Sequence, residues 1–365
     1  MIFASDNWAG ASEAVMAALV AANQGPAPAY GNDEITRRLE VRMSDLFERD
    51  VAVFLVATGT AANALATAAF APPWGAILAH RDAHLNVDEC GAPEFFAGTK
   101  VVGLAGARGK IDPRGLVEAL DDMPAGVVHH VQPAVLSLTQ STELGTVYTA
   151  DEVAELAGIV KNRNIAVHMD GARFANAISS LQVAPSTLTW RAGVDVLSFG
   201  ATKGGALMAE AIVLFDRSRQ EALGYLRKRA AQLVSKHRFV AAQFDAWLDG
   251  EHWLDLADHA NAMATRLAVG LDGASAARLA WIPEANEVFA FMAPTTAAAL
   301  RTEGATFYEW PASGLAVADR PRPGEVLYRL VTSFRTEPAE VDRFVALVGG
   351  APAMRQDGLE TGRNC

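Results

Sequence analysis

From residue 51 onward the chain alternates short apolar runs with stretches whose apolar positions recur near every 3.6 residues. The runs are VAVFLVAT, WGAILAH, VVGLAG, AVLSLTQ, IAVHMD, GVDVLSFG and AIVLFD. TAANALATAAF, VDECGAPEFF, DPRGLVEALDD, TADEVAELAGIVKNRN and ARFANAISSL read as the helices between them. In DPRGLVEALDD, Asp112 and Pro113 occupy the cap and first-turn positions. Runs that are apolar on both faces and separated by helices predict an α/β fold with a mainly parallel seven-stranded sheet. Ahead of it come an extended arm, a short helix (EAVMAALVAAN), the Gly/Pro-rich loop GPAPAYGND and a helix over ITRRLEVRMSDLF.

Past residue 217 the pattern changes. SRQEALGYLRKRAAQLVSK and WLDLADHANAMATRLAVGL predict long helices, and EVFAFMA, ATFYEW, EVLYRLVTSF and PAEVDRFVALV predict an α+β end piece. The expected organisation is an arm and large domain over 1–250, a smaller α+β domain over 251–350, and a polar, flexible tail over 351–365. The 365 residues, 51% hydrophobic and 20% charged, are ample for such a core. A formal net charge of −11 argues against nucleic-acid and anionic-membrane partners. Two cysteines, Cys90 and Cys365, make no disulfide framework. MIFASDNWAG lacks the basic and apolar regions of a signal peptide, and no run of about 20 apolar residues occurs, so a cytoplasmic location is expected.

HMDGARF, 168–174, puts a carboxylate, Asp170, where a buried strand should end. Helix capping is one reading; the other is a positive charge above the strand end that needs a fixed anion. ATGTAAN, 57–63, joins a buried run to a helix through Gly59 and Thr60, which is how a fold makes a phosphate site, although an ordinary turn looks the same. In SFGATKGG, 198–205, Lys203 follows an apolar run and is flanked by Thr202 and glycines; held at a buried strand end it is costly to charge, as a Schiff-base lysine requires. Asp170 precedes Lys203 by 33 residues, about one strand–helix–strand unit, so both emerge at the carboxyl end of a parallel sheet, where ligands bind. A phosphate, an aldehyde that condenses with lysine and a ring nitrogen that needs an anion together describe pyridoxal 5'-phosphate.

Other candidates are less specific. His84 follows AILAH and is placed to stack on a ring or act as a base. His129 and His130 precede AVLSL, and adjacent side chains of an extended segment face opposite ways, so one of them points inward. His168 shares a strand face with Asp170, but two ligands without a third make a poor metal site, and no metal is expected. Arg329, inside EVLYRLVTSF, needs an anion, either an internal salt bridge or a substrate carboxylate; Arg173 and Ser5 are secondary candidates for the same carboxylate.

The combination resembles the threonine aldolase family of fold-type-I pyridoxal-phosphate enzymes. ASDN, AYGND, GTAAN, HLNVDECGAPEFF, TQSTELGTVY, HMDGARF, GVDVLSFGATKGG and YRLVTSF carry the resemblance, which runs from about residue 3 to 345. DECGAPEF and TQSTELGTVY are most similar to bacterial low-specificity L-threonine and phenylserine aldolases. The resemblance implies Lys203 as the Schiff-base lysine, Asp170 as partner of the pyridine nitrogen, and His84 against the ring. Gly59 and Thr60 then bind phosphate, and Arg173, Arg329 and Ser5 hold the substrate carboxylate. It also implies His129 near the β-hydroxyl, with His130 leaving that assignment open. Tyr30 and Lys236 are expected to act at the site of a neighbouring subunit, in a homodimer or tetramer. Asp88 stands where many relatives carry an aromatic residue, altering the pocket for the β-substituent; Met208 and Glu210, after Lys203, are undecided between facing substrate and facing away. The implied reaction is retro-aldol cleavage of β-hydroxy-α-amino acids to glycine and an aldehyde, with His84 or His129 as base. A β-eliminating lyase, an aminotransferase and a non-catalytic cofactor-binding homologue are the alternatives.

Overall fold

The computed structural model describes residues 1–350, so the expected tail lies outside the described residues. Seven strands form the large sheet: β1 (Ala52–Val56), β2 (Gly75–His80), β3 (Lys100–Leu104), β4 (Gln132–Thr139), β5 (Ala166–Gly171), β6 (Val196–Gly200) and β7 (Glu210–Leu214). Their order is β1-β7-β6-β5-β4-β2-β3. β2 to β6 run parallel, and β7 is antiparallel to both β1 and β6. The strands are apolar on both sides because both faces of the sheet are covered. In β7, Ala211 and Val213 join the main core while Ile212 and Leu214 join a second cluster with Phe54, Leu65 and Leu223. Phe199 of β6 anchors the main core, with the rings of Phe47, Phe174, Phe244, Trp247 and Trp253 all within 5.8 Å of it.

The smaller sheet is antiparallel, with β8 (Ala277–Leu279), β9 (Glu287–Met292), β10 (Tyr308–Glu309) and β11 (Val326–Val331) in the order β10-β11-β9-β8. The helices His252–Asp272, Pro294–Thr302 and Pro338–Gly350 contribute to its core. The first residues of the chain pack here as well. Phe3 is buried against Phe344, with ring centroids 5.1 Å apart, and its N–H donates to Thr306 O at 2.8 Å. The arm is therefore tied to the C-terminal domain before it reaches the large one, where Ser12 N–H donates to Gly205 O.

Two expected helices are shorter than the sequence pattern predicts. VDECGAPEFF is split into His84–Val87 and Ala92–Ala97 by Cys90 and Gly91, both at positive φ (53° and 71°). The split turns Glu89 inward, where it is buried. The helix expected through 218–236 is Gln220–Arg229, ending before Ala231 at φ 59°. A separate helix, Arg238–Leu248, then begins.

Candidate active site

The parallel strands all deliver their carboxyl ends to one edge of the sheet, and the antiparallel β7 begins there. A cleft of about 270 Å³ opens at that edge. Ala57, Thr58, Gly59 and Thr60 follow β1, His84 and Glu89 follow β2, and Ser141 and Glu143 follow β4. Asp170 ends β5 with Ala172 and Arg173 just beyond, Thr202 and Lys203 follow β6, and Glu210 opens β7. Asn7 of the N-terminal arm, Asn63 and Thr139 complete the lining.

Asp170 is almost completely buried and accepts hydrogen bonds from Asn63 Nδ2 (2.8 Å) and from Ala172 N (3.0 Å). The second bond is the local turn contact expected of a capping aspartate; the first ties the same carboxylate into the site. Asn63 Nδ2 also donates to Glu89 Oε1 at 2.8 Å, and Glu89 Oε1 lies 2.9 Å from His84 Nδ1. That bond to a buried carboxylate raises the His84 pKa above the ordinary imidazole value, against the desolvation that lowers it. Behind Asp170, His168 is sandwiched between Ser137 Oγ (2.8 Å) and Ser198 Oγ (2.9 Å), and burial depresses its pKa to about 4. His168 is thus a neutral spacer within the sheet.

Glu143 closes the cleft on the β4 side. Its Oε1 accepts from His84 N at 2.7 Å, while the buried Oε2 has no hydrogen-bond partner. Burial first, reinforced by Asp170, pushes its carboxyl up to about 7 against the opposing His84 N–H. Burial likewise pushes Glu210 up to about 7, with Thr202 and Lys203 opposing.

Two arginines meet one glutamate where the domains join. Arg173 grips Asp6 through Nε (2.7 Å) and Nη2 (3.1 Å), and its Nη1 lies 3.4 Å from Glu287 Oε2. Burial opposes ionisation of Asp6, but Arg173 and then Lys203 outweigh it and hold the carboxyl at about 2. Arg329 on β11 lies 3.7 Å from Glu287 Oε1 and stacks on Trp310 at 4.0 Å, and its buried Nε has no partner. Glu287, with no accessible side-chain surface, stands between the two guanidinium groups.

Most of the expected residues thus converge: Gly59, Thr60, His84, Asp170, Arg173, Thr202 and Lys203 line one cleft. Glu210 lines it too, whereas Met208 points outward and is 51% exposed. Asp88 lies beside it, in a neighbouring cavity with Tyr308 and Trp310. His129 does not reach the site. It and His130 lie on an exposed loop before β4, and the eight residues of that strand separate them from its carboxyl end, by about 26 Å at 3.3 Å per residue. Ser5 does not line the cleft either; its hydroxyl caps the turn Asp6–Trp8 by accepting from Asn7 N, and Asp6 makes the contact with Arg173. Tyr30 and Lys236 are exposed and outside this chain's own cleft, with Tyr30 N–H donating to Ser235 O. Sequence reading missed Asp6, Asn63, Glu89, Glu143 and Glu287. Glu143 had a usable signal, since it follows a buried run as Asp170 does.

The comparisons with known proteins decide the family. Residues 3–295 match the family described as beta-eliminating lyase. The low-specificity L-threonine aldolase of Pseudomonas aeruginosa is 41% identical over 86% of this chain and 90% of its own length. That of a Pseudomonas species is 38% identical over 94% of this chain and 96% of its own. This chain belongs to the threonine aldolase family. A solved threonine aldolase from Leishmania major superposes with a TM-score of 0.87 at 27% identity, covering 95% of this chain and 98% of that one. Serine palmitoyltransferase from Sphingomonas wittichii, at 13% identity and a TM-score of 0.70, shares the fold.

The cofactor of the family, pyridoxal 5'-phosphate, fits the residues present. The helix Gly59–Ala68 points its N-terminus into the cleft, with the hydroxyls of Thr58 and Thr60 beside bare backbone at Gly59. A Cβ at Gly59 would meet only Glu210 Oε2, at 4.0 Å, whereas one at Gly200 would collide with Ala172 Cα and Glu210 Oε2 at 2.9 Å. The elevated pKa of Glu210 lessens the negative charge an incoming phosphate meets. Asp170 could supply the anion for the ring nitrogen, and Lys203 the amine for the aldehyde, since both line the cleft.

If Glu89 sets the charge of His84, Glu89→Gln removes the main cause of its raised pKa. The expected result is a downward shift of the His84 titration, followed by NMR of labelled histidines. An unmoved titration would mean that Glu89 orients the ring without setting its charge.

Proposed function

We propose that the protein cleaves L-β-hydroxy-α-amino acids, among them L-threonine, L-allo-threonine and L-phenylserine, to glycine and an aldehyde. The observation that carries this reading is the convergence of Lys203, Asp170 and the Thr58–Thr60 turn in one cleft of a threonine aldolase family member. When bound, the cofactor takes up the electron pair released at Cα. Lys203 would hold it through its aldehyde. Asp170, kept in place by Asn63 and Ala172 N, would retain the proton on the ring nitrogen. His84 is assigned contact with the ring.

The substrate carboxylate falls to Arg329 before Arg173. Arg173 already has both oxygens of Asp6, whereas Arg329 has a distant Glu287 and an unpartnered Nε. That grip orients the substrate so that the Cα–Cβ bond is the one broken. The expected outcome is equal release of glycine and aldehyde from L-threonine and L-phenylserine, with the cofactor's visible absorbance lost in Lys203→Ala. Release of ammonia and 2-oxobutanoate from L-threonine would instead identify a β-eliminating enzyme.

We further propose a homo-oligomer, dimeric or tetrameric, in which Tyr30 and Lys236 serve the neighbouring subunit's cleft. Their exposure, and the exposed apolar side chains Trp8, Met16, Leu207 and Met208, support this. Analytical ultracentrifugation of the active protein is expected to read a dimer or larger; a fully active monomer would contradict the shared site.

A further inference from the structure

Beside the cleft lies a second cavity of about 500 Å³. Its walls include Val87, Leu144, Tyr308, Trp310, Pro311 and Leu315, with Asp82, Asp88 and Glu309 also lining it. Glu143 lines both cavities. A substrate held by its amine near Lys203, with its β-substituent in the second cavity, has its Cβ at the junction where Glu143 stands. We propose that Glu143 is the group that takes the β-hydroxyl proton as the Cα–Cβ bond breaks. This rests on the retro-aldol reading given above.

The two carboxylate oxygens of Glu143 differ in the way this role requires. Oε1 is held by the backbone N–H of His84; Oε2 is buried without a hydrogen bond of its own, and the nearby Thr139 hydroxyl favours the carboxylate form. A buried oxygen without a donor is a standing energetic cost, relieved when a substrate hydroxyl donates to it. The surroundings also poise the group for proton transfer. Burial and the charge of Asp170 raise its pKa to about 7, near the working pH of a general base. Arg173 and the buried Tyr148 phenol are the other ionisable groups coupled to it, and Asp82, Asp88 and Glu309 lie around the second cavity. His84 is the competing base, but its bond to Glu89 favours the imidazolium, which has no free lone pair. His129 is on the far side of the sheet.

The step balances without a co-reactant. The β-hydroxyl proton passes to Glu143 Oε2, and the O–H electron pair becomes the second bond of the aldehyde carbonyl. The Cα–Cβ pair stays with the glycine fragment, whose Cα takes a proton from water, and Glu143 returns its own proton to water, so none is gained or lost overall.

The test is Glu143→Gln, which keeps an oxygen for the His84 N–H but cannot accept the proton. In the loaded enzyme kcat/KM for L-phenylserine cleavage should fall by about 10²–10⁴-fold. Exchange of the glycine α-proton with D₂O, which needs the cofactor and Lys203 but no β-hydroxyl, should stay within about threefold of the parent. The parent's kcat/KM should decline as pH drops through about 7, and this limb should vanish in the variant. Infrared titration of the cofactor-free protein should show a carboxylic-acid band growing in over the same range, diminished in Glu143→Gln to the share that Glu210 contributes. Wild-type cleavage by the variant, or parallel loss of cleavage and glycine exchange, would overturn the proposal, the latter by making Glu143 a structural prop for the His84 turn. If the parent enzyme exchanges glycine but releases no aldehyde, the retro-aldol reading itself falls.

Discussion

Asp170, Glu89 and Glu143 are buried within one wall of the cleft, and how they are reconciled determines much of the site. Buried carboxylates are tolerated only when donors satisfy them or when they hold a proton. One amide nitrogen, Asn63 Nδ2, serves both Asp170 and Glu89. Glu89 in turn is paired with the His84 ring, and Glu143 is fixed to the His84 backbone. The chain of contacts runs through three strand ends and the helix Gly59–Ala68, so the position of each group depends on the packing of the whole sheet. Its free capacity, Glu89 Oε2, Asn63 Oδ1 and Glu143 Oε2, is buried in the same wall.

A second electrostatic arrangement joins the domains. Asp6 belongs to the arm, Arg173 to the large domain, and Glu287 and Arg329 to the small sheet. The arm reaches Arg173 because Phe3 is anchored beside Phe344 and Val331 N–H donates to Phe3 O at 2.9 Å. Asn286, next to Glu287, donates to Asp6 as well, at 3.1 Å. Two arginines and two carboxyl groups from the arm, the large domain and the small sheet thus meet in a buried place. The arrangement leaves one guanidinium, that of Arg329, with a buried Nε that has no partner.

The sheet was legible in the sequence because every one of its strands is a compact apolar run, and the order of Asp170 and Lys203 along the chain placed both at the same edge. Residues whose meaning depends on the fold were not legible. Glu89 looked like part of a helix, and only the positive-φ pair Cys90–Gly91 turns it inward. Asp6 is far in sequence from Arg173, and its role follows from the docking of the arm. Conversely His129 was implied by the family resemblance, and strand direction keeps it out of the cleft: a residue preceding β4 belongs to the opposite edge. The same rule, applied forward, selects Glu143.

The central claim is that the cleft exists to keep a pyridine nitrogen protonated against the Asp170 carboxylate. Nitrogen NMR of protein loaded with pyridoxal phosphate labelled at the ring nitrogen tests it directly, in the parent and in Asp170→Asn. The account predicts a protonated ring nitrogen in the parent across the neutral range and an unprotonated one in the variant. The same protonation state in both proteins would contradict it.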